Sequence, residues 1–554
     1  MPFAHNTVMD YAERWLQQCP DQVWLRERQG DVVAEWTWGT AYSEFQAVAA
    51  WLEAEYGDDG ASVAILSKNR AHWMLADMAI LSSGNVSIPL FTTLIPEIVD
   101  YVVNFSEVKL LVLGEAENWD KVRGVIPDDV KVLLLPGVEA NVDATRWEDV
   151  VAQYQGRKPK HACTADEVFT IPFTSGTTGM PKGVLQTHDS MIIPMERSQS
   201  ALNIRERPRF LSYLPLSHIA ERQLVWINSL ITCGEVSFNE NLTTLLRDMA
   251  ETRPTFFFGA PRVWEMLRQG ITAKFGGQEA LDQALAADRA GVQAKVQQAL
   301  GFSDYDYLLT AAAPIPVALI KWYEDVGLTV TEGYGQTEAM VLVVNTEEHT
   351  RVGSIGKPVA GVEVRMSDEG EMLCKAEGLS PGYYKQPDKT AETFVDGWVH
   401  TGDKIRIDDD GFIFITGRVK DYFKTIQGKF VTPIPLEDAY AASKSVEQLC
   451  LLGRGYSKTV MVCVLSPAAA ERDWAALSAE LAAQAEAVNA EVEKHARIGA
   501  VIVAPQAWTI DNGMLTPTMK LKRNQVEEQF GAQAEALARQ AAEQGQILVA
   551  RAGQ

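Results

Sequence analysis

Short apolar runs that alternate with helix-like stretches are the feature of this chain that most limits its fold. Residues 62–66 (SVAIL), 109–113 (KLLVL) and 131–135 (KVLLL) each have the length and composition of a buried strand. Amphipathic stretches, such as residues 40–56 and 69–84, flank them. Buried strands that alternate with helices predict a mostly parallel sheet with helices on both faces. We therefore expect an α/β protein built on doubly wound sheets.

The length of the chain predicts more than one domain. A chain of 554 residues is too long for a single hydrophobic core. The α/β texture covers the first part, and glycine-separated alternating runs then predict hairpins of a β subdomain over about 345–416. We assign 1–416 to a large N-terminal domain. Later strands and two Ala/Glu-rich helices, over 467–496 and 522–546, predict a small α+β domain over 417–554.

The charge balance limits the choice of partners. The chain has 73 acidic against 50 basic residues, which gives a formal net charge of −23. Nucleic acid is not expected as a partner, because phosphate backbones require a basic face. No apolar run approaches the ~20 residues of a membrane span, so we expect no transmembrane segment and at most a peripheral membrane contact.

The cysteines give no sign of a metal or redox motif. Reduced cysteines suit the cytosol. Because the N-terminus also lacks the pattern of a signal peptide, we expect a cytoplasmic location. No Cys-x-x-Cys occurs, so the sequence predicts isolated reduced thiols that pack like small hydrophobes. The six cysteines are Cys19, Cys163, Cys233, Cys374, Cys450 and Cys463.

The run FTSGTTGMPKGV, residues 173–184, combines glycines with hydroxyl side chains and one lysine. Glycines let backbone N–H groups approach a phosphate closely, and a lysine adds positive charge. The run is not a Walker A loop, because its only lysine, Lys182, follows a proline. A plain flexible turn would explain the glycines but not the hydroxyls. We therefore predict a phosphate-binding loop.

Further motifs follow this loop along the chain. They are LPLSHIAE (214–221), AAAP (311–314), EGYGQTE (332–338), WVHTGD (398–403), GRVKDYFKTIQGK (417–429) and LTPTMKLKR (515–523). Together, over nearly the whole chain, they resemble the acyl-adenylate-forming (AMP-binding) superfamily. GAPRVWEML (259–267) and FKTIQGKFVTP (423–433) most resemble the long-chain fatty acyl-CoA synthetases. The resemblance implies two doubly wound sheets with a β subdomain, and a small mobile C-terminal domain that alternates between two half-reactions.

The resemblance also implies a reaction. ATP would activate a medium- to long-chain fatty acid to an acyl-adenylate with release of pyrophosphate, and CoA would then displace AMP. ATP and CoA are the expected co-substrates and Mg²⁺ the expected cofactor, and a homodimer is compatible with this reading. Attack of a carboxylate on a phosphate brings two anions together, so the site must supply positive charge and positioning.

Roles in the first half-reaction follow from the resemblance. Thr177 and Glu338 are expected to hold Mg²⁺, since a hydroxyl and a carboxylate are hard oxygen ligands. Thr337 is expected to contact the α-phosphate and Tyr334 to stack on adenine. The residues expected to bind phosphates and adenine are Thr174, Ser175, Gly176, Thr177, Thr178, Gly179, Lys182, Ala312, Ala313, Gly333, Tyr334, Gly335 and Thr337.

The later motifs bind the rest of the nucleotide in the same scheme. Asp403 is expected to accept hydrogen bonds from the ribose hydroxyls. Arg418 would support the ribose or a phosphate, and Lys424 would touch the nucleotide. The hinge between the domains is expected at Lys420 or Asp421. Without the resemblance, residues 417–424 would be read as a charged surface corner.

A lysine near the C-terminus is expected to be catalytic. Lys520 would neutralise charge that develops between carboxylate and α-phosphate. Lys522 is the alternative in sequence, and Met519 stands where the family has a glycine. Gly428 is expected to let pantetheine pass, and His218 to line the carboxylate end of the acyl pocket, although a lone histidine is more often structural.

Other functions stay open at this level. The substrate could be an aryl, short-chain or β-hydroxy acid, or the acceptor could be a carrier protein. A noncatalytic acyl or nucleotide sensor on the same fold would be expected to lose the metal carboxylate, the ribose carboxylate or the C-terminal lysine. Glu338, Asp403 and Lys520 are all present, which disfavours a sensor.

Overall fold

The computed structural model describes residues 5–57, 60–174, 180–419, 422–443, 445–509, 512–516 and 521–553. The chain forms two compact units. The first comprises Met1–Ala312, Ile320–Val364 and Cys374–His400, and the second comprises Ala313–Leu319, Arg365–Leu373 and Thr401–Gln554. The boundary that the sequence places after residue 416 stays a prediction.

A mostly parallel seven-stranded sheet confirms the predicted α/β core of the first unit. Ser62–Leu66 lies between Val86–Leu90 and Leu110–Leu113, parallel to both. Its last four residues are buried, as are all four of Leu110–Leu113, because helices cover both faces. The strand order is Gln186–Thr187, Val168–Thr170, Val86–Leu90, Ser62–Leu66, Leu110–Leu113, Lys131–Leu134 and Thr145–Arg146, with the first pair antiparallel.

Two smaller sheets follow the same pattern, with parallel pairs extended by antiparallel edges. One has the order Arg209–Ser212, Glu235–Phe238, Val23–Gln29 and Val32–Thr37, and the other Phe256–Gly259, Tyr307–Thr310, Val330–Tyr334, Val343–Val344 and Lys357–Pro358. A separate hairpin joins Phe173–Thr174 to Lys182–Gly183. The strands of the predicted hairpin region are Val362–Met366, Glu371–Ala376, Phe394–Val395, Trp398–Ile407 and Ile413–Arg418.

Local signals explain where several helices begin. Thr7, Thr37 and Thr187 each cap a helix through a reciprocal capping box. The helices before residue 400 are Val8–Gln18, Trp38–Tyr56, Ala71–Ser82, Pro96–Phe105, Ala116–Val122, Trp147–Tyr154, His188–Leu202, Ile219–Glu221, the π-helical turn Arg222–Ile227, Asn228–Thr232, the 3₁₀ turn Leu242–Thr244, Leu245–Thr252, Pro261–Lys274, Gln278–Ala287, Arg289–Ala299, Val317–Asp325 and Pro387–Thr393.

The C-terminal part of the chain is α+β, as expected. Its four-stranded sheet has the order Val446–Leu452, Thr459–Leu465, Ile498–Val503 and Leu548–Arg551, with the first pair antiparallel and the others parallel. The prediction of a single helix over 467–496 is wrong, because Asp473 accepts from the Ala476 N–H at 3.0 Å and starts a new helix. The remaining elements are the hairpin Phe423–Lys424 and Phe430–Val431 and the helices Pro433–Tyr440, Pro467–Ala470, Trp474–Ala490 and Arg523–Gln544.

The cysteines depart from expectation in one respect. All six are free, but the expectation that each is isolated is wrong for Cys19 and Cys233, whose Sγ atoms lie 3.2 Å apart. These residues are far apart in sequence, so no spacing motif could have revealed the contact. In the part of the chain that the structure describes, no helix is long and apolar enough to cross a bilayer.

Candidate active site

The two ends of the predicted phosphate loop lie side by side. Thr174 pairs with Lys182 and Phe173 with Gly183 across an antiparallel hairpin. Gly183 has to be small, because a Cβ there would lie 2.7 Å from Ile171 Cγ2. Five residues of the loop between the strands lie outside the described ranges, and their roles stay predictions: Ser175, Gly176, Thr177, Thr178 and Gly179.

A segment from the later part of the first unit lies against this hairpin. The Leu185 N–H donates to the Gly382 carbonyl and the Tyr384 N–H to the Gly183 carbonyl, each at 2.9 Å. Tyr383 forms an antiparallel bridge with Val184. These backbone bonds fix Tyr383 next to the base of the phosphate loop.

Tyr383 brings two of the predicted site residues together. Its hydroxyl donates to Glu338 Oε1 at 2.6 Å, and the Lys182 ammonium lies 4.7 Å from the centroid of its ring. The side chain is only 6% exposed. Burial and, to a lesser degree, the Glu338 carboxylate raise the pKa of the Tyr383 phenol, so the phenol stays protonated and acts as the donor. No motif in the sequence indicates this tyrosine.

The backbone of the EGYGQTE segment is anchored to the same region. Gln186 donates through Nε2 to the Thr337 carbonyl at 2.6 Å, and the Ser190 hydroxyl donates to Gln186 Oε1 at 2.7 Å. The Ser380 N–H donates to the Glu338 carbonyl at 3.0 Å. The carbonyls of Thr337 and Glu338 are therefore both held by hydrogen bonds, and the Glu338 side chain is held by the phenol as well.

The two glycines of this segment are closely packed, Gly335 against backbone atoms and Gly333 against a leucine side chain. A Cβ on Gly335 would lie 2.7 Å from the Val341 nitrogen, and one on Gly333 would lie 3.0 Å from Leu309 Cδ1. Between them, the Tyr334 hydroxyl accepts from Gln336 Nε2 at 2.7 Å. The expected adenine contacts of these residues are not tested by this geometry.

The alanine motif contains a residue in an unusual backbone conformation. Ala312 has a φ of +74°, in the left-handed region that L-residues with a Cβ rarely adopt. Ala312 and Ala313 are both exposed. An alanine at this φ is strained, and the exposed backbone is free of side-chain bulk, which suits the expected approach of a flat base.

In the second unit, two of the predicted nucleotide-binding residues, Asp403 and Arg418, form an ion pair. They lie opposite each other across two antiparallel strands, and Arg418 Nε lies 2.9 Å from Asp403 Oδ1. The carboxylate is buried and the guanidinium is about half exposed. Residues from two different sequence motifs thus form one ion pair. The hinge candidates Lys420 and Asp421 lie outside the described residues.

Lys424 and Gly428 lie on one small hairpin of the second unit. The Lys424 ammonium lies 4.7 Å from the centroid of the Phe430 ring. Gly428 has a φ of +72° in the turn, where its N–H donates to the Thr425 carbonyl at 2.9 Å. The turn by itself explains the glycine, and its place in a CoA channel stays a prediction. Lys520, the candidate catalytic lysine, is outside the described part of the chain.

His218 begins a helix in the first unit. Its Nδ1 accepts from the Ala220 N–H at 3.2 Å, and its ring lies 6.5 Å from that of Phe91. Glu221, three residues later, is fully buried and accepts from the Tyr213 N–H at 3.1 Å. Burial raises the pKa of the Glu221 carboxyl to about 8. No motif in the sequence indicates this buried acid.

One further group of potential metal ligands exists among the described residues: His161, Cys163 and Glu167. His161 Nε2 lies 2.9 Å from Glu167 Oε1, which is an ion pair when the imidazole is protonated. Burial raises the pKa of the Cys163 thiol to about 12. The group shares no residue with the predicted Mg²⁺ site.

The chain matches the family model for AMP-binding enzymes over residues 12–384, and the model for the C-terminal domain of these enzymes over residues 420–542. A long-chain-fatty-acid–CoA ligase of Mycobacterium tuberculosis is 29% identical over 96% of this chain and 97% of its own length. The peroxisomal long chain acyl-CoA synthetase 7 of Arabidopsis thaliana is 27% identical over 94% of this chain and 83% of its own length.

Solved structures share the fold. The crystal structure of an anthranilate CoA ligase in complex with anthranoyl-AMP matches with a TM-score of 0.80 at 20% identity, over 98% of this chain and 99% of the other. The adenylation domain of a carboxylate reductase from Mycobacterium chelonae matches with a TM-score of 0.81 at 22% identity, over 97% of this chain and 92% of that one.

Proposed function

Because the chain belongs to the AMP-binding enzyme family, we propose that it is an ATP-dependent acid–thiol ligase that makes acyl-CoA from a medium- to long-chain fatty acid. The fatty-acid carboxylate attacks the α-phosphorus of ATP and expels pyrophosphate. The CoA thiol then attacks the acyl carbon of the adenylate and expels AMP. Full-length similarity to ligases named for long-chain fatty acids supports this substrate class.

The observation that carries the mechanism is the grouping of Lys182, Tyr383 and Glu338 beside the ends of the phosphate loop. Here a cation and a carboxylate lie on either side of one buried phenol. The first half-reaction requires positive charge near the phosphates and an anchored acid for a metal. We assign the β- and γ-phosphates to Thr174, Lys182 and the loop between them, and the α-phosphate to Thr337.

Mg²⁺ suits the donors available here. Glu338 offers a hard carboxylate with several lone-pair sites, of which the Tyr383 phenol uses one. Together with the Thr177 hydroxyl, it would hold the ion, which would neutralise phosphate charge. Tyr383 orients the carboxylate by donating a hydrogen bond to one of its oxygens.

The remaining nucleotide contacts are assigned by the same scheme. The backbone at Ala312 and Ala313 and the segment Gly333–Gly335 would hold adenine, with Tyr334 stacked on the ring. Asp403 would accept from the ribose hydroxyls, and its ion pair with Arg418 orients the buried carboxylate. Lys424 would reach the nucleotide in one of the two domain arrangements.

The C-terminal part would serve both half-reactions by alternation. Lys520 would neutralise the charge that develops during adenylation. A rotation at Lys420 or Asp421 would then remove it and bring the hairpin with Gly428 to the pantetheine path. His218 would line the carboxylate end of the acyl pocket. We also place the enzyme in the cytoplasm, where six free cysteines are expected to stay reduced. The proposed reaction is compatible with a homodimer and with a peripheral membrane contact.

The product assay tests the acceptor and the acid together. Purified chain would be incubated with ATP, Mg²⁺, CoA and one acid at a time, and acyl-CoA and AMP would be measured by mass spectrometry. We expect equal amounts of both products, with palmitate or octanoate far better than benzoate. Acyl-adenylate that accumulates despite CoA would point to a carrier-protein acceptor instead. Binding of ATP without any product would favour the sensor.

A further inference from the structure

Two of the six cysteines, neither of them among the residues assigned to the nucleotide, meet in the first unit. Cys19 follows the helix Val8–Gln18 and Cys233 follows the helix Asn228–Thr232. Their Sγ atoms lie 3.2 Å apart. We propose that this pair is an oxidative modification site that closes to a disulfide when the protein meets a hydroperoxide.

Hydrogen bonds anchor the backbone around both cysteines and hold the two residues next to each other. Gln22 holds both residues: its N–H donates to the Cys19 carbonyl and its Nε2 to the Cys233 carbonyl, each at 3.1 Å. The Cys19 N–H donates to the Trp15 carbonyl at 2.9 Å. The indole N–H of Trp15 in turn donates to the Leu230 carbonyl, which links the two helices directly.

The separation is short enough for bond formation. A disulfide bond measures about 2.05 Å, so the sulfurs have to approach by roughly 1 Å, which side-chain rotation can supply. Two other cysteines donate to backbone carbonyls instead of facing a second sulfur. Cys163 donates to the Leu81 carbonyl and Cys374 to the Val399 carbonyl.

The two thiols differ in access, which sets the order of the reaction. Cys19 is half-buried, whereas Cys233 is 2% exposed. Burial is the main cause that raises the pKa of the Cys233 thiol to about 12, and the hydrogen bond with Cys19 adds to it. The oxidant therefore meets Cys19 first. Cys233 attacks second, and its closeness to Cys19 compensates for its low thiolate fraction.

The chemistry balances with hydrogen peroxide as the oxidant. The Cys19 thiolate attacks one peroxide oxygen, an S–O bond forms and the O–O bond breaks, which gives a sulfenic acid and hydroxide. The Cys233 sulfur then attacks the sulfenyl sulfur, the S–S bond forms and the S–O bond breaks. The leaving hydroxide takes the Cys233 proton. In sum, two thiols and one hydrogen peroxide give one disulfide and two waters.

Thiol counting with peptide mapping tests the site on the intact chain. The reduced protein would be treated with hydrogen peroxide, denatured in excess alkylating agent, and analysed by mass spectrometry. We expect the count of free thiols to fall from six to four, with one cross-linked peptide pair that contains Cys19 and Cys233. Dithiothreitol should restore all six.

Two variants make the test specific. Cys19→Ser should lose no thiol pair at the peroxide concentration that closes the wild-type site, whereas the matched control Cys163→Ser should still form the Cys19–Cys233 bond. Sulfinic or sulfonic acid on Cys19 with Cys233 still open to alkylation would overturn the proposal. A cross-link between other cysteines, or between two chains, would overturn it as well. The wild-type peptide map decides the question even if a variant folds poorly.

Discussion

Replacing Tyr383 by phenylalanine separates the two contacts that this side chain makes. Tyr383→Phe removes the hydroxyl that donates to Glu338 at 2.6 Å but keeps the ring beneath the Lys182 ammonium. A hydrogen bond to a charged group contributes about 1.5–3 kcal/mol, which corresponds to roughly 10- to 100-fold in an equilibrium or rate constant. Tyr383→Leu also removes the cation–π contact, worth about 0.5–1 kcal/mol at a half-exposed lysine, or roughly 2- to 5-fold more.

The assay is fatty-acid-dependent ATP–pyrophosphate exchange as a function of Mg²⁺ concentration. We expect Tyr383→Phe to lower kcat/KM for ATP by about 10- to 100-fold, with a higher Mg²⁺ concentration at half-maximal rate, because the carboxylate loses its orienting donor. Tyr383→Leu should fall further mainly through the apparent affinity for ATP. Tyr384→Phe is the matched control, because the neighbouring hydroxyl makes no hydrogen bond to Glu338 and its ring lies against Phe105.

Unchanged Mg²⁺ dependence in Tyr383→Phe would refute the reasoning, even if activity fell. A drop in melting temperature large enough to unfold the variant under assay conditions would show a packing role instead, since Tyr383 is 6% exposed. Thermal unfolding of all three variants would therefore be measured first.

Three other predictions address separate parts of the account. Lys520→Ala should abolish pyrophosphate exchange yet leave thioester formation from supplied acyl-adenylate nearly intact. The control Lys522→Ala should change neither half-reaction more than a few-fold. Equal loss of both half-reactions in Lys520→Ala would contradict the role assigned to Lys520. Asp403→Asn should weaken ATP binding in calorimetry by about 10- to 100-fold through lost charged hydrogen bonds, and Asp409→Asn in the exposed turn of the same hairpin should not. Glu221→Gln tests the buried acid by urea unfolding: burial holds the pKa near 8 instead of 4.5, so its stabilising contribution is full below pH 4.5 and is lost as the pH rises through 8. The free energy of unfolding of the variant minus that of the wild type should therefore rise by about 4 kcal/mol between pH 5 and pH 8.5. Equal pH dependence in both proteins would contradict the raised pKa of this carboxyl.

The strands of the first unit were predictable because burial on both faces leaves an uninterrupted apolar run. Residues 62–66 match the observed strand residue for residue, and 109–113 and 131–135 are each right to within one residue at an end. The C-terminal helix over 467–496 was predicted as one element because alanine and glutamate continue across the break. Asp473 carried the missed signal, since aspartate is a favoured N-cap.

The candidate site was only partly predictable. Motifs singled out Lys182, Glu338, Asp403 and Arg418, whose roles stay predictions. In the fold, Lys182 and Glu338 both contact Tyr383, and Asp403 pairs with Arg418. Tyr383 escaped notice because its role comes from a backbone bridge to the phosphate hairpin, which no sequence spacing encodes.

Burial and distant contacts were also invisible in the sequence. Glu221 stands in a charged-looking stretch, and only the fold shows it fully buried. The contact between Cys19 and Cys233 depends on how two helices end, which the residues themselves do not reveal.

Carboxylate-dependent ATP–pyrophosphate exchange, with Mg²⁺ and without any thiol, tests the central claim most directly. The acids would include acetate, octanoate, palmitate, benzoate and a β-hydroxy acid. We predict exchange that is strongest with the longer fatty acids. Exchange confined to acetate or benzoate would contradict the assigned substrate class, and no exchange with any acid, on folded protein that binds ATP, would contradict the ligase itself.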